Sequence, residues 1–255
     1  MRNLFRHLLA AAGLACLLPV TVDAADIRVF AINPLRGPFA GLAETFSRDT
    51  GHHVEIVFGA PPALIKRLTA GESADLVVFA QNSLEGAMKT GRLGGGSTTE
   101  IGRAGVGVVV RAGTAAPNIS TADALKKALL DADSLVFNQL ASGRYFATVV
   151  ERLGITDQIK AKTKRPEADA DVFEHMRNSK GKDIGILSLP AIMADGGKTV
   201  RMAGPLPGQL QHYEPYLAAL TVNAKSPDAA KAFVAFLTSP QTRATLAKRG
   251  VEQTK

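Results

Sequence analysis

The chain has 255 residues, of which 46% are hydrophobic, 21% charged and 5% aromatic, with 30 Lys and Arg against 23 Asp and Glu. This composition is typical of a globular α/β protein and excludes a disordered chain, a collagen-like repeat and a disulfide-bonded miniprotein. The formal charge of +7 favours anionic partners. The basic residues are dispersed, however, and three Tyr with no Trp offer few surfaces for stacking bases, so we expect no nucleic-acid partner.

The first 24 residues have the three-part pattern of a secretory signal peptide. A basic head at Arg2 and Arg6 precedes an apolar stretch at 8–20, which is too short to span a bilayer comfortably. Small residues at the end of the segment predict cleavage after Ala24, so we expect a periplasmic protein. The single cysteine, Cys16, lies inside the segment, and the mature chain would therefore hold no disulfide and no thiolate metal site.

The residues after the signal alternate between β and α patterns. Runs of apolar and β-branched residues predict strands over 27–32, 54–58 and 75–80. Apolar residues at helical spacing, with Pro or Gly near the ends, predict helices over 39–47, 61–70 and 83–89. The third strand is apolar on both faces, as a central parallel strand would be. This alternation predicts a doubly wound parallel sheet.

A second set of elements begins with a long β segment at 105–111. Further strands are predicted over 135–138, 183–188, 199–203 and 216–222. Helices are predicted over 121–130, 142–153, 170–178, 190–195, 227–237 and 240–248. The order predicts an α/β fold of two doubly wound lobes joined by crossover strands, with residues 25–105 and 217–255 in lobe I and 106–216 in lobe II.

Four stretches carry a family resemblance: IRVFAINPL, ETFSRDTGHHVEIVFGAPPALIKRLTAGESADLVVFA, GVGVVVR and DIGILSLPA. They resemble the molybdate-binding components of ABC transporters, in the type II periplasmic binding superfamily, to which a few aconitate isomerases are similar. The resemblance implies a two-lobed, monomeric solute-binding protein that closes over a small anion by bending at the crossover strands. It also implies an inner-membrane ABC permease as the partner.

The loops after the strands are where a ligand is expected. In doubly wound lobes, ligands lie beyond the carboxyl ends of the strands, against helix N-termini. The candidate ligand-binding residues in these loops are Asn33, Pro34, Leu35, Arg36, Ala60, Pro61, Ser142, Gly143, Arg144 and Ser188.

This chain differs from the family at the expected ligand positions. The resemblance implies serine hydroxyls in the first two loops and a tyrosine from the second lobe as the groups that bind molybdate. Pro34 stands in place of the first serine, Ala60 and Pro61 occupy the second loop, and Ser188 replaces the tyrosine. Proline offers neither a hydroxyl nor an N–H group, so these loops have few donors for an oxyanion.

Cationic side chains stand near the same loops. Arg36 follows Pro34, and Arg144 lies beside Ser142 at the start of a predicted helix. A guanidinium can bind a carboxylate through two parallel hydrogen bonds. We therefore expect an organic di- or tricarboxylate as the ligand in preference to a tetrahedral oxyanion.

An enzyme that uses the same cleft stays open as an alternative. The chain has no HExxH, GxSxG, Walker or dinucleotide fingerprint in a fitting context, and we expect neither a metal nor a cofactor. The alternative is an isomerase of the aconitate isomerase kind, which moves the double bond of a tricarboxylate and needs one positioned acid or base. His212, Tyr213 and Glu214, which precede the return strand, are the candidates for that proton transfer.

Overall fold

The computed structural model describes residues 24–94, 96 and 98–253. The predicted signal segment, including Cys16 but not Ala24, therefore lies outside the described residues. Among the described helices, none combines the length and the apolar character needed to cross a membrane.

Strands and helices alternate along the described residues. The strands are β1 (Asp26–Ile32), β2 (His53–Gly59), β3 (Leu76–Ala80), β4 (Thr99–Ala104), β5 (Val106–Arg111), β6 (Leu135–Phe137), β7 (Thr163–Lys164), β8 (Ile184–Ser188), β9 (Val200–Pro205) and β10 (Glu214–Leu220). The helices are α1 (Arg36–Phe39), α2 (Leu42–Thr50), α3 (Pro61–Thr69), α4 (Gln81–Met88), α5 (Ala122–Asp131), α6 (Ala141–Arg152), α7 (Thr156–Lys160), α8 (Asp169–Asn178), α9 (Leu189–Asp195), α10 (Pro227–Leu237) and α11 (Pro240–Ala247).

The strands form two five-stranded sheets, one in each lobe. The first has the order β2-β1-β3-β10-β4 and the second the order β7-β6-β8-β5-β9. Three adjacent strands in each sheet are parallel, whereas β10 is antiparallel to β3 and β4, and β5 is antiparallel to β8 and β9. The predicted two-lobed α/β fold is confirmed, with antiparallel strands added to each parallel set; the assignment of individual residues to the lobes stays a prediction.

The chain passes between the sheets at two adjacent points. The first crossing is Gly105, between β4 and β5, and the second is the segment that leads into β10. The Gln211 side chain joins the two crossings, because its Oε1 accepts from Val106 N and its Nε2 donates to Val106 O, both at 2.9 Å. The long β segment predicted at 105–111 thus begins at the first crossing, and its strand β5 starts one residue later.

Buried apolar residues form separate cores beside the two sheets. In the first core Phe46 packs edge-on against Phe233, with ring centroids 5.1 Å apart. In the second core Phe137 and Phe146 make a similar contact at 5.0 Å. Each lobe therefore has the apolar interior that a folded unit needs, and the space between the lobes is left for a ligand.

One buried carboxylate connects the first sheet to the C-terminal helices. Asp75, 4% exposed, accepts from Arg28 N at 2.8 Å, from Lys225 N at 2.6 Å and from Ser226 N at 2.9 Å. Three backbone donors satisfy a buried carboxylate well. Asp75 thereby fixes the segment that follows β10 against the start of β3.

The helix predicted at 39–47 is divided into two parts in the structure. Residues Arg36–Phe39 form a single short turn, and the main helix begins at Leu42. Gly41 separates them because its φ of +75° lies in the left-handed region, which a continuous helix cannot contain. The sequence pattern also missed the six-residue strand β4, whose TEIGRA sequence has few apolar residues. It missed α7 and the two-residue strand β7 as well, since such short elements have no periodicity to detect.

Candidate functional site

A cavity of about 660 Å³ lies between the lobes, where the parallel strands of both sheets end. This size is typical of a site for a small organic ligand. The lining residues are Ile32, Asn33, Pro34, Gly59, Ala60, Pro61, Pro62, Ala63, Ile65, Ala80, Asn82, Ser83, Gly86, Gln139, Leu140, Ala141, Ser142, Arg144, Glu167, Asp169, Ser188 and Tyr216.

Most of the residues predicted from the loops line this cavity. Seven of them do so: Asn33, Pro34, Ala60, Pro61, Ser142, Arg144 and Ser188. Leu35 is fully buried in the core of the first lobe. Arg36 is exposed, and its guanidinium lies over the Phe58 ring, 4.6 Å from the centroid. That their side chains bind a ligand stays a prediction for all of them.

The part of the first-lobe wall that helix α3 forms is apolar and has few free N–H groups, whereas Asn33, Asn82 and Ser83 are polar residues of the same wall. Helix α3 begins with Pro61 and Pro62, which have no N–H. The next two donors, Ala63 N and Leu64 N, are both bonded to Ala60 O at 3.1 Å. The helix N-terminus that would bind an anion in this position therefore has no free donor among its first four residues.

The wall from the second lobe has the opposite character. Helix α6 begins at Ala141, and Arg144 N is the first of its N–H groups to find an intrahelical carbonyl, Leu140 O at 2.8 Å. The three N–H groups before it are the usual orphan donors of a helix N-terminus, beside the Ser142 hydroxyl. The Arg144 guanidinium lies beside them and donates to Gln139 O at 3.3 Å.

Gly143 has a packing role at the start of this helix. A Cβ atom at this position would lie 1.9 Å from Asn138 O and 2.7 Å from Asn138 Oδ1. Only glycine therefore lets the first turn of α6 approach the end of β6 so closely. The predicted residue Gly143 positions Ser142 and Arg144, although it does not itself line the cavity.

Asp169 is an acidic residue of the cavity that sequence reasoning missed. It begins helix α8, and its Oδ1 accepts a hydrogen bond from Nδ2 of Asn138, a fully buried side chain. Asn138 is held in turn because its Oδ1 accepts from Leu140 N at 2.9 Å. Burial raises the pKa of the Asp169 carboxyl to about 6, against the opposite effect of the Asn138 hydrogen bond.

Tyr216 and Ser188 add hydroxyl groups beside Asp169. Tyr216, on β10, is 3% exposed, and burial raises the pKa of its phenol, as does the negative charge of Asp169. Ser188 Oγ acts in the opposite direction and lowers that pKa, and it is buried without a hydrogen-bond partner among the described residues. Both hydroxyls can therefore donate to a ligand.

The charged groups of the cavity are few. Among the described lining residues Arg144 carries the only positive charge, and Glu167 and Asp169 carry the negative charges. When Asp169 is protonated, the remaining two charges balance. Because α6 contributes neutral donors as well, the second lobe can attract an anion without a cluster of basic residues.

The three residues proposed for proton transfer lie in the segment that leads into β10 and at its start. None of His212, Tyr213 and Glu214 is among the described lining residues. His212 stacks on Tyr145, with ring centroids 4.7 Å apart, and its Nε2 lies 3.3 Å from Glu214 Oε2. The Tyr213 ring lies beneath the Arg103 guanidinium at 5.0 Å. These contacts place the trio at the crossing between the lobes, and a role in proton transfer stays untested for them.

The chain is similar to one protein family and to several characterised proteins. Residues 27–252 match the family of bacterial extracellular solute-binding proteins. An aconitate isomerase from a Pseudomonas species is 25% identical over 251 residues, which cover 96% of this chain and 93% of that protein. The molybdate-binding protein ModA of Azotobacter vinelandii is 25% identical over 241 residues, 92% of each chain. The solved structure of the periplasmic molybdate-binding protein of Azotobacter vinelandii has a TM-score of 0.73 at 18% identity, covers 90% of this chain and 100% of that one, and establishes the shared fold.

Proposed function

The chain belongs to the bacterial extracellular solute-binding proteins, and we propose that it captures a small organic carboxylate in the cleft between its lobes. The two curated relatives are equally identical to it and act on different anions, so identity alone does not choose between them. The chemistry of the cavity lining favours an organic carboxylate over molybdate.

The observation that carries the proposal is the contrast between the two walls. Pro34, Pro61 and Pro62 give the two loops after β1 and β2 apolar surface without N–H groups, where an oxyanion would need donors, although Asn33 and Asn82 of the same lobe are polar. A hydrogen bond to a charged group contributes about 1.5–3 kcal/mol. The absence of the two N–H donors at Pro61 and Pro62 would therefore weaken the binding of an oxyanion by roughly two to four orders of magnitude. A carbon skeleton, in contrast, packs well against proline and alanine side chains.

The second lobe supplies the groups that a carboxylate needs. The Arg144 guanidinium, the Ser142 hydroxyl and the N-terminus of α6 lie together on one side of the cavity. Arginine matches the planar geometry of a carboxylate, and the helix N-terminus adds oriented N–H donors. The cavity is large enough for a ligand with several carboxylates, of which one would contact Arg144 and others the polar residues Asn33, Asn82 and Gln139.

Native mass spectrometry followed by thermal-shift titration tests this function. The purified mature protein should retain an organic acid, and trans-aconitate or citrate should raise its Tm while molybdate leaves the Tm unchanged. Tight stabilisation by molybdate or tungstate with none by carboxylates would contradict the proposal.

Matched variants of one helix locate the binding group. Arg144→Gln should weaken carboxylate binding by about 10- to 100-fold, because it removes one charge-assisted contact. Arg152→Gln is the control, since Arg152 lies at the other end of α6, is exposed and donates to Gln209 O at 3.1 Å. An equal loss in both variants would show that overall charge, and not the site, controls binding.

Export and transport complete this proposal. The signal segment would deliver the protein to the periplasm, where closure of the lobes over the ligand would present a surface to an ABC permease. The junction held by Gln211 is where the two crossings would bend together. A permease partner, a monomeric state and cleavage after Ala24 belong to the same proposal.

An isomerase is the second candidate function, and one observation favours it. A carboxyl group whose pKa is about 6 lies in the cavity, within the range in which an acid–base group works at neutral pH. The full-length similarity to an aconitate isomerase supports the same reading. Conversion of trans-aconitate to the cis isomer by the purified protein tests it, and the absence of turnover at high protein concentration would refute it.

A further inference from the structure

We propose that Asp169 is the acid–base group of this cleft, moving a proton between two carbons of a bound unsaturated tricarboxylate, and that the Tyr216 hydroxyl stabilises the negative charge that develops on the substrate. The inference rests on the isomerase function proposed above and names the residues that perform it. It replaces the trio at the crossing, whose side chains do not line the cavity, as the source of the proton.

The position of Asp169 is the first support. Its Oδ1 is held by the fully buried Asn138 side chain, and its Oδ2 forms no hydrogen bond with the described residues. One oxygen is thus held by the protein, the other has no such bond, and the residue lines the cavity. A proton-transfer group requires this arrangement, because the carboxyl must be oriented by the protein and still reach the substrate.

The surroundings of Asp169 are the second support. Tyr216 is close enough for the Asp169 charge to raise the pKa of its phenol, which stays protonated and able to donate. The Ser188 hydroxyl is buried nearby without a good partner among the described residues. Arg144 and Glu167 are the other charged groups that line the cavity. Arg144 and Asp169 line the same cavity, so a substrate carboxylate bound at Arg144 would hold its carbon skeleton in the space that Asp169 also lines.

The reaction is an allylic proton shift and is balanced without a co-reactant. The Asp169 carboxylate takes a proton from the methylene carbon, and the electron pair of that C–H bond forms the new C=C bond. The electrons of the old double bond spread onto the neighbouring carboxylate, where the Tyr216 and Ser188 hydroxyls donate to the added charge. The Asp169 carboxylic acid then returns the proton to the former vinylic carbon, so no electron is lost and Asp169 is regenerated.

The test measures turnover and binding in the same samples. NMR follows conversion of trans-aconitate to cis-aconitate, and calorimetry measures binding of trans-aconitate, for the wild type, Asp169→Asn and Tyr216→Phe. We expect Asp169→Asn to bind the tricarboxylate but to lose about 10²–10⁴-fold in turnover. Tyr216→Phe should lose about 10²-fold, because one donor to the developing charge is removed.

A control variant and the pH profile separate a catalytic role from a structural one. Glu174→Gln makes the same change on the same helix, but Glu174 is exposed and lies outside the cavity, so its turnover should match the wild type. The wild-type kcat/KM should rise with pH and level off above about 6, and Tyr216→Phe should keep this profile at a lower rate.

Each outcome decides a different claim. Turnover that survives in Asp169→Asn overturns this inference. A wild type that binds trans-aconitate without converting it also overturns the inference but leaves the carboxylate-binding function in place. A wild type that binds no tricarboxylate overturns both proposals. Turnover in the wild type and Glu174→Gln that is lost in Asp169→Asn supports the assignment.

Discussion

Replacement of Asp169 by asparagine should make the protein more stable at neutral pH. The pKa of this carboxyl is raised from 3.8 to about 6 by burial, so the folded state binds the proton more tightly than the unfolded state does. The carboxylate therefore destabilises the fold above pH 6, and this effect disappears as the pH falls below about 4. The amide keeps a carbonyl oxygen for the Asn138 hydrogen bond and carries no charge.

The size of the effect follows from the shift. About two pK units correspond to roughly 3 kcal/mol, which is an upper bound because the carboxyl is partly exposed in an open cleft and is screened by water. The difference in unfolding free energy between Asp169→Asn and the wild type should be near zero at pH 4. It should then grow to between about 1 and 3 kcal/mol at pH 7.

Urea denaturation from pH 4 to pH 8, followed by circular dichroism, measures this difference. Glu174→Gln on the same helix serves as the control and should differ from the wild type by a constant amount across the range. A constant difference for Asp169→Asn, or an asparagine variant that is less stable at pH 7, would refute the reasoning. If Asp169→Asn is more stable but has lost turnover, the wild-type carboxylate lowers the stability of the fold in return for activity, which is a common trade-off at functional sites.

Three further predictions concern the packing around the cleft and in the first lobe. Gly143→Ala should destabilise the protein by about 1–3 kcal/mol, because the new Cβ would clash with the backbone of Asn138. Gly86→Ala is the matched control: it lies in the interior of α4 with nothing within 4 Å of its Cβ position, and it should stabilise the protein by about 0.5–1 kcal/mol. Thermal denaturation measures both variants, and equal changes in stability would contradict the clash at Gly143. Ser188→Ala should leave the unfolding free energy within about 0.5 kcal/mol of the wild type while weakening ligand binding, and a large loss of stability in the free protein would show that the hydroxyl already has a partner. Asp75→Ala should cost about 3 kcal/mol or more in urea denaturation, since three backbone donors lose the buried carboxylate that accepts from them. A loss below about 1 kcal/mol would count against the role of Asp75 in fixing the segment after β10 to the start of β3.

The loops that line the cleft could be predicted because they follow strong local patterns. Strand ends mark the carboxyl edge of a parallel sheet, and this placed Asn33, Ala60 and Ser188 at the cavity. The missing donor at Pro61 could also be predicted from the sequence, because proline has no backbone N–H in any fold. Local signals of this kind do not depend on how distant parts of the chain pack.

The direction of side chains could not be predicted, because it depends on tertiary contacts. Arg36 follows a strand end as expected, yet its guanidinium stacks on Phe58 of the next strand. Tyr216 lines the cavity because β10 pairs with β3 in a register that aligns it with Ala80 at the strand end. Asp169 follows β7, which is only two residues long and too short to give a strand signal. Its place directly before the helix predicted at 170–178 was the one available hint.

Calorimetric titration of the mature protein with trans-aconitate and with molybdate, side by side at pH 7, tests the central claim most directly. The apolar proline wall and the donors around Arg144 predict saturable heat with the tricarboxylate, weakened in Arg144→Gln, and no heat with molybdate. Saturable, high-affinity binding of molybdate together with no response to the tricarboxylate would contradict the account.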